Sequence, residues 1–299
     1  MRDTPYGLQA DDLKRNDSLL TRDTEPGTRG IVMSVITILS DFGAHDEYVG
    51  VMKGVILSIC PSVSIVDITH QVDPQDIAQA AYLIPASYRF FPQGTVHLIV
   101  VDPGVGSQRD ILAATHGGHV FIAPDNGVLT LLMNRGKSDT IVRVYNAEYF
   151  LKPVSATFHG RDIFAPVGAH IVNGTGLEDL GTKIDIEDIV QLEDLKCRLS
   201  ETGELVGKII SIDRFGSLIT NIDSKSLTTL RQNDPENRLQ IRISTHVISG
   251  LSDTFARAEP SAPLALIGSR NYLEIAVNCG SARRHFKAQK GDAVRVNLL

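Results

Sequence analysis

The chain has 299 residues, 42% of them hydrophobic and 21% charged; at roughly 150 residues per domain that is about two domains with sizeable cores. Lys and Arg number 29 against 35 Asp and Glu, a net charge of −6, and Arg283-Arg284 is too short to make the basic stripe that a nucleic-acid partner needs. No apolar run approaches the ~18 residues of a membrane span, and Cys60, Cys197 and Cys279 are too widely spaced for a disulfide framework or a zinc pattern, so a reducing, cytoplasmic compartment is expected.

Residues 1–32 carry many charges, are punctuated by Pro5, Gly7, Pro26, Gly27 and Gly30, and lack an apolar h-region. They read as a flexible tail, not a signal peptide. From 33 onward the pattern changes. Residues 35–40 form an apolar run that stops at Asp41-Phe42-Gly43, a strand ending in a loop. Residues 48–59 place Val49, Met52, Val55, Ile56 and Ile59 at helical spacing, and Pro61 ends the pattern. A strand is expected at 64–68 and a helix at 76–88, the latter with Pro85 near its end. Residues 95–101 are apolar nearly throughout, as suits a strand buried on both faces. Strands follow at 111–115, 119–123 and 140–144, and a helix at 162–172 with Pro166 in an early turn. Strand and helix in alternation imply parallel pairing, hence an α/β layered domain with a mainly parallel sheet over 33–195. Beyond it, short runs at 205–212, 218–222, 239–243, 264–267, 272–277 and 293–298 are separated by turn residues. They predict a C-terminal all-β, barrel-like domain over 196–299.

Ligands of open α/β sheets bind beyond the carboxyl ends of the strands, and polar clusters stand there. They are Asp41-Phe42-Gly43 with Asp46, the run from Asp102 to Arg109, Pro124-Asp125-Asn126-Gly127, and Thr157 to Asp162. Each also has an ordinary explanation: an Asp after a strand caps a turn or helix, and Pro-Asp-Asn-Gly is a good turn. Gly104-Val105-Gly106 begins like a dinucleotide loop, but position 109 is Arg, so that fingerprint fails, and no phosphate-binding loop is present. His159 and Asp162 lack further ligands at metal spacing, and Ser40, Ser107 and Ser155 lack a nucleophile elbow. From spacing alone, the chain reads as an enzyme acting on a small polar ligand at the strand ends, without a metal.

Taken together the motifs are more specific. Ser-Asp-Phe-Gly at 40–43, Val-Val-Asp-Pro-Gly-Val-Gly at 100–106 with Arg109, and Ala-Pro-Asp-Asn-Gly at 123–127 occur in order. Thr-Phe-His-Gly-Arg-Asp-Ile-Phe at 157–164, Ile-Asp-Arg-Phe-Gly at 212–216 and Gly-Ser-Arg-Asn-Tyr-Leu-Glu-Ile-Ala-Val-Asn at 268–278 follow. The set resembles the S-adenosyl-L-methionine (SAM) hydrolase family, also called SAM hydroxide adenosyltransferases, whose halide-using relatives are fluorinase and chlorinase. The resemblance covers about 34–299. It implies hydrolysis of SAM to adenosine and L-methionine, with SAM as substrate and no cofactor. It also implies a homotrimer whose active site lies between one subunit's N-terminal domain and its neighbour's C-terminal domain. Its catalytic trio falls on Asp102, Arg109 and His159. Its substrate contacts fall on Asp41 for the ribose, with Asp46 nearby, on Asp213, Ser269 and Arg270 for the methionine half, and on Phe215 and Asn278 near the adenosine. Where the family pattern has an adenine-contacting Asn after Phe-Gly, this chain has Ser217, whose hydroxyl lacks the paired donor and acceptor of an amide.

The chemistry is in-line displacement at the ribose 5′ carbon. A neutral thioether leaves a sulfonium, so no general acid is required. His159, whose side-chain type titrates at about 6.5, is the expected base; Asp102, a carboxylate and so a poor base for water, would orient the water, and Arg109 would stabilise developing hydroxide. A carboxylate beside the nucleophile and a glycine at 160 disfavour a halide, so hydrolysis is expected over halogenation. The other alternative is a non-catalytic SAM or adenosine sensor.

Overall fold

The computed structural model describes residues 34–134, 140–231 and 239–298, so the tail expected at 1–32 lies outside the described residues. From Ser34 onward the chain forms one compact unit containing two sheets. The first is built from β1 (Val35–Ser40), α1 (Tyr48–Ile59), β2 (Ser64–Thr69), α2 (Ile77–Ser87), β3 (Val96–Val100), β4 (Ile111–His116), β5 (His119–Pro124), α3 (Thr130–Met133), β6 (Thr140–Val144), α4 (Ala165–Val172), α5 (Leu177–Leu180) and β7 (Gly181–Ile184). Its strand order is β2-β1-β3-β5-β4-β6-β7. The β2, β1, β3 and β5 strands are parallel, whereas β4, β6 and β7 add antiparallel pairs. The parallel half follows from its helical crossovers; β4 and β5 are joined only by Gly117-Gly118, both at positive φ, and so must fold back as a hairpin.

Period-2 alternation distributes the core. Ile36, Ile38, Val96, Leu98 and Val100 pack on one face under α1 and α4, and Leu39, Ile99, Val101 and Phe121 pack on the other under α2 and α3. Burial on both faces explains why the strands read as continuous apolar runs. The helix expected at 162–172 begins differently: residues Gly160–Phe164 form a π-turn in which Ala165 N–H donates to Gly160 O, and α4 starts after it. Pro166 has no N–H to continue the i→i−4 ladder, and it stands in the first turn of α4, where none is needed. Likewise α2 keeps Pro85 near its end, with Ser87 Oγ donating to the carbonyls of Leu83 and Ile84.

The second sheet holds β8 (Arg198–Leu199), β9 (Leu205–Ile212), β10 (Leu218–Asp223), β11 (Leu239–Ile243), β12 (His246–Ser249), β13 (Pro263–Ile267), β14 (Tyr272–Val277) and β15 (Ala293–Leu298), with α6 (Ser224–Arg231) and α7 (Ala282–Phe286) attached. Every pair in it is antiparallel, and its outermost strands β12 and β13 approach one another, so the sheet nearly closes into a barrel. The two sheets meet through Ala81, Tyr82, Leu131, Leu195, Ile210, Ile219 and Tyr272. Tyr82 and Tyr272 stand edge to face, 5.5 Å between centroids. The Tyr82 hydroxyl donates to Leu195 O, and burial raises its pKa. Among the described residues no helix is long and apolar enough to cross a membrane.

Candidate functional site

Register puts the first two acidic residues side by side. In the parallel β1–β3 pair Ser40 lies opposite Val100, so the residues just beyond, Asp41 and Asp102, leave the sheet at the same end. The Asp102 loop turns tightly, with Val105 N–H donating to Asp102 O at 3.2 Å and Ser107 N–H to Gly104 O at 3.1 Å. Its Gly106 has φ +77°, and a Cβ there would strike Ala156 O. This glycine is therefore what lets the loop touch the segment that carries His159. Of the two glycines that begin like a dinucleotide loop, Gly106 has this packing cause.

Arg109 binds the other two members of the trio. Its Nε donates to Asp102 Oδ1 at 2.7 Å and its Nη2 to Asp102 Oδ2, making a bidentate pair buried on both sides. Nη2 also lies 2.8 Å from His159 Nδ1. A guanidinium has only donors, so Nδ1 is the acceptor and the neutral ring carries its proton on Nε2. Burial first, then the Arg109 charge, holds the His159 pKa below its usual value. Behind it Asp162, fully buried, accepts from Arg161 Nε at 2.6 Å and from Ser155 N–H at 2.8 Å. It pins the chain on both sides of His159. The sequence hint of Asp162 as a metal ligand gives way to this anchoring role; no group of three or more metal-ligating side chains occurs among the described residues.

Asp41, Asp102, Val105, Gly160 and His159 line a hollow of about 390 Å³ together with Gln75, Phe42, Tyr48 and Phe158. The last three rings pack at 5.1–5.9 Å between centroids. Asp41 Oδ2 accepts Gln75 N–H at 2.8 Å, and Gln75 adopts φ 64° to deliver it. Asp46 is exposed on the loop before α1 and lines neither this hollow nor the larger one. Pro124-Asp125-Asn126-Gly127 is a turn that ties elements together: Asn126 Nδ2 donates to Val101 O, and Asp125 Oδ1 accepts Val190 N–H.

The remaining substrate-binding candidates lie elsewhere in the chain. Asp213, Phe215, Ser217, Ser269 and Asn278 line a second, open hollow of about 2030 Å³ beside the β sheet, and Arg270 flanks it in a small crevice with Tyr272. Asp213 Oδ1 accepts the N–H groups of Phe215 and Ser217, holding a turn whose Gly216 sits against Ser281 at φ +89°. That turn leaves Phe215 79% exposed. Asn278 Nδ2 is committed to Ala258 O at 2.7 Å. Gln75, Tyr48 and Glu274 are among the lining residues that carry no site expectation from sequence; of these three, Glu274 left a signal, as a lone charge inside the apolar strand 272–277.

Residues 36–181 match the SAM hydroxide adenosyltransferase N-terminal domain, and residues 207–295 the C-terminal domain of the same family. The (R)-S-adenosyl-L-methionine hydrolase of Thermus thermophilus is 35% identical over 276 residues, covering 88% of this chain and 100% of its own. A fluorinase of Nocardia brasiliensis is 31% identical, covering 88% of this chain and 97% of its own. The crystal structure of an uncharacterized conserved protein from Thermotoga maritima superposes with a TM-score of 0.80 at 34% identity, covering 88% of this chain and 99% of that one. The chain belongs to the SAM hydroxide adenosyltransferase family.

Proposed function

We propose that the protein hydrolyses SAM to adenosine and L-methionine, with Asp102, Arg109 and His159 acting on one water behind the C5′–sulfur bond. The observation that carries this is their convergence, through Arg109, on a hollow that also holds Asp41. The relatives named as SAM hydrolases support it. In this reading His159 is not the base that its ordinary pKa suggests, because its one free lone pair is taken by Arg109. It donates through Nε2–H to one lone pair of the water and so holds the other in line with the C5′–sulfur bond. Asp102 keeps a lone pair on each carboxylate oxygen after binding Arg109. Water attacks C5′, the C5′–S bond breaks, and the electron pair leaves with the neutral thioether. The oxygen is then a protonated alcohol, a far stronger acid than a carboxylic acid, so even a weak base such as Asp102 takes its proton and passes it to solvent. The test is product analysis by chromatography after incubation with SAM: adenosine and methionine in equal amounts are expected, and intact SAM would instead favour a sensor.

Asp41 would hold both ribose hydroxyls. Asp41→Ala should raise KM for SAM about 10-fold or more while lowering kcat less, since hydrogen bonds to a charged group contribute roughly 1.5–3 kcal/mol. Steady-state kinetics check the split.

Fluorinases among the relatives raise halogenation as the second reading. Two features oppose it. The Asp102 carboxylate would repel a halide, and a Cβ on Gly160 would lie 3.1 Å from Met52 Sδ and 3.2 Å from the Phe158 ring, leaving no room for a hydroxyl side chain without a shift. With SAM and excess chloride or fluoride, adenosine should remain the dominant product; 5′-halo-5′-deoxyadenosine forming at a comparable rate would reject hydrolysis as the main activity.

The residues assigned to the ribose and to the reacting water line one hollow of the chain, and those assigned to the methionine half and the adenine lie at another. A homotrimer in which a neighbour's β sheet covers the Asp102 hollow would unite them, and the exposed Phe215 and Phe255 at the larger hollow suit such a surface. The reading requires no cofactor.

A further inference from the structure

Ser40 lacks a nucleophile elbow, yet its polar side chain is fully buried at the end of β1, and the structure gives it a partner. In the parallel β1–β2 pair Leu39 lies opposite Thr69, so His70, one residue on, reaches Ser40. The two side chains meet at 2.7 Å, Ser40 Oγ to His70 Nδ1. On the far side of the ring Nε2 stands 3.0 Å from Asp67 Oδ1, and Lys53 Nζ donates to Asp67 Oδ2 at 2.6 Å. Nε2 makes no hydrogen bond among the described residues, so the Asp67 contact acts through charge. A carboxylate presents only lone pairs, and it favours the tautomer with the ring proton on Nε2. Nδ1 is then an acceptor, the Ser40 hydroxyl donates to it, and a Ser40 lone pair accepts Phe42 N–H at 3.3 Å. Donation therefore runs from the Phe42 peptide through Ser40 to His70.

The residue enclosed by these contacts is Asp41. The segment around it is tied to the segment that follows β2: Val72 N–H donates to Ser40 O at 3.4 Å, Gly43 N–H to His70 O at 2.8 Å, and Gln75 N–H to Asp41 Oδ2 at 2.8 Å. Those donors are backbone groups that nearly any sequence supplies, whereas the Ser40–His70 bond depends on its two side chains. Resting on the SAM reading above, we propose that His70 is a positioning residue for recognition of the ribose. Through Ser40 it fixes the peptide that follows Asp41, so the carboxylate meets both ribose hydroxyls without reorganising when the ligand arrives. His70 does not line the hollow that holds Asp41, so it acts only through the loop. Without the ring, the buried Ser40 hydroxyl has lost its acceptor and turns toward another, which releases Phe42 N–H and loosens Asp41.

Calorimetric titration with adenosine and with 2′,3′-dideoxyadenosine, which lacks both ribose hydroxyls, reads the effect. His70→Ala should weaken adenosine about 5-fold, the scale of one neutral hydrogen bond, and leave dideoxyadenosine unchanged. KM for SAM should rise by the same factor while kcat changes less. His70→Asn carries Oδ1 close to where Nδ1 stood and keeps the acceptor, so it should restore adenosine affinity to within about 2-fold of wild type. Ser40→Ala should match His70→Ala, and the double variant should lose no more than either alone, because the two side chains act as a unit. An unchanged adenosine affinity in His70→Ala, an equal loss for both nucleosides, or a His70→Asn variant as impaired as His70→Ala would overturn the proposal. If His70→Ala does not fold, Ser40→Ala binding the two nucleosides in the wild-type ratio would overturn it. The same titrations separate this role from the reaction. If His70→Ala loses the discrimination but wild type leaves SAM intact, hydrolysis fails and the His70 role stands. If SAM is hydrolysed and only Asp41→Ala loses the discrimination, the His70 role fails and the SAM reading stands. A wild type that binds both nucleosides equally removes the ribose role of Asp41 and the His70 role with it.

Discussion

His159→Gln should retain far more turnover than His159→Ala. The alanine variant loses the hydrogen bond that holds the attacking water in line, and kcat should fall about 100-fold, the scale at which misplacing a reacting group acts. Glutamine reaches about as far as Nε2 and offers an amide N–H in its place, so it should again hold the water and recover about 10-fold of that loss. It cannot act as a base near neutral pH. If His159 were the base, both variants would be equally impaired, and that equality in two folded proteins would end the donor assignment. A second measurement does not depend on catalysis. Nitrogen-15 spectra of the wild-type protein should show His159 Nδ1 as the unprotonated nitrogen and Nε2 as the protonated one, because Arg109 offers Nδ1 only a donor. The acid limb of kcat follows from the same contact. Burial and Arg109 lower the His159 pKa, so the ring stays neutral below the ordinary histidine range of about 6.5. Activity should therefore persist below that pH and fall only where Nδ1 gains a proton and expels the guanidinium.

The parallel core of the fold is legible in sequence because its strands are buried on two faces. The runs at 35–40 and 95–101 contain little but apolar residues, and helical periodicity at 48–59 forces a crossover between strands. The antiparallel extension is less legible, since β7 and β12 are short, part-exposed edge strands without a clean alternation. The proposed catalytic trio is legible only as separate motifs. That Arg109 reaches back to Asp102 is local, but its contact with His159 spans 50 residues and depends on Gly106 meeting Ala156, and no periodicity reports a loop–loop contact. The tautomer was beyond reach for the same reason: an isolated histidine reads as a base, and only its neighbour's lack of an acceptor makes it a donor.

Acid should destabilise the fold well above the pH at which its carboxylates protonate, and the cause lies at the other end of the sheet. His97 begins the parallel run of β3 and is 1% exposed. Its Nδ1 meets Thr37 Oγ1 at 2.7 Å and its Nε2 meets His119 Nδ1 at 3.1 Å, while Phe121 stacks on the ring at 4.8 Å. Burial, and then the neighbouring His119, lower the His97 pKa to about 3; burial and His116 lower that of His119. Above pH ~6.5 neither the folded nor the unfolded chain protonates these rings, and they add no pH dependence. Below it the unfolded chain binds protons that the fold refuses, and each strongly shifted ring removes about 1.4 kcal/mol per pH unit. Between pH 7.5 and 4.5 His97 alone should therefore cost about 3 kcal/mol, with a further loss from His119. Urea unfolding of the wild type and of His97→Gln at pH 7.5 and 4.5 measures it. The variant should start less stable, because Thr37 and His119 lose their fitted partner, yet lose less stability on acidification; equal losses in the two proteins would remove His97 as the cause. The two histidine effects are separable because the groups lie at opposite ends of the same strands. In the proposed mechanism His159 acts on turnover at the carboxyl ends, and His97 sets how far the pH can fall before the sheet that carries the site comes apart.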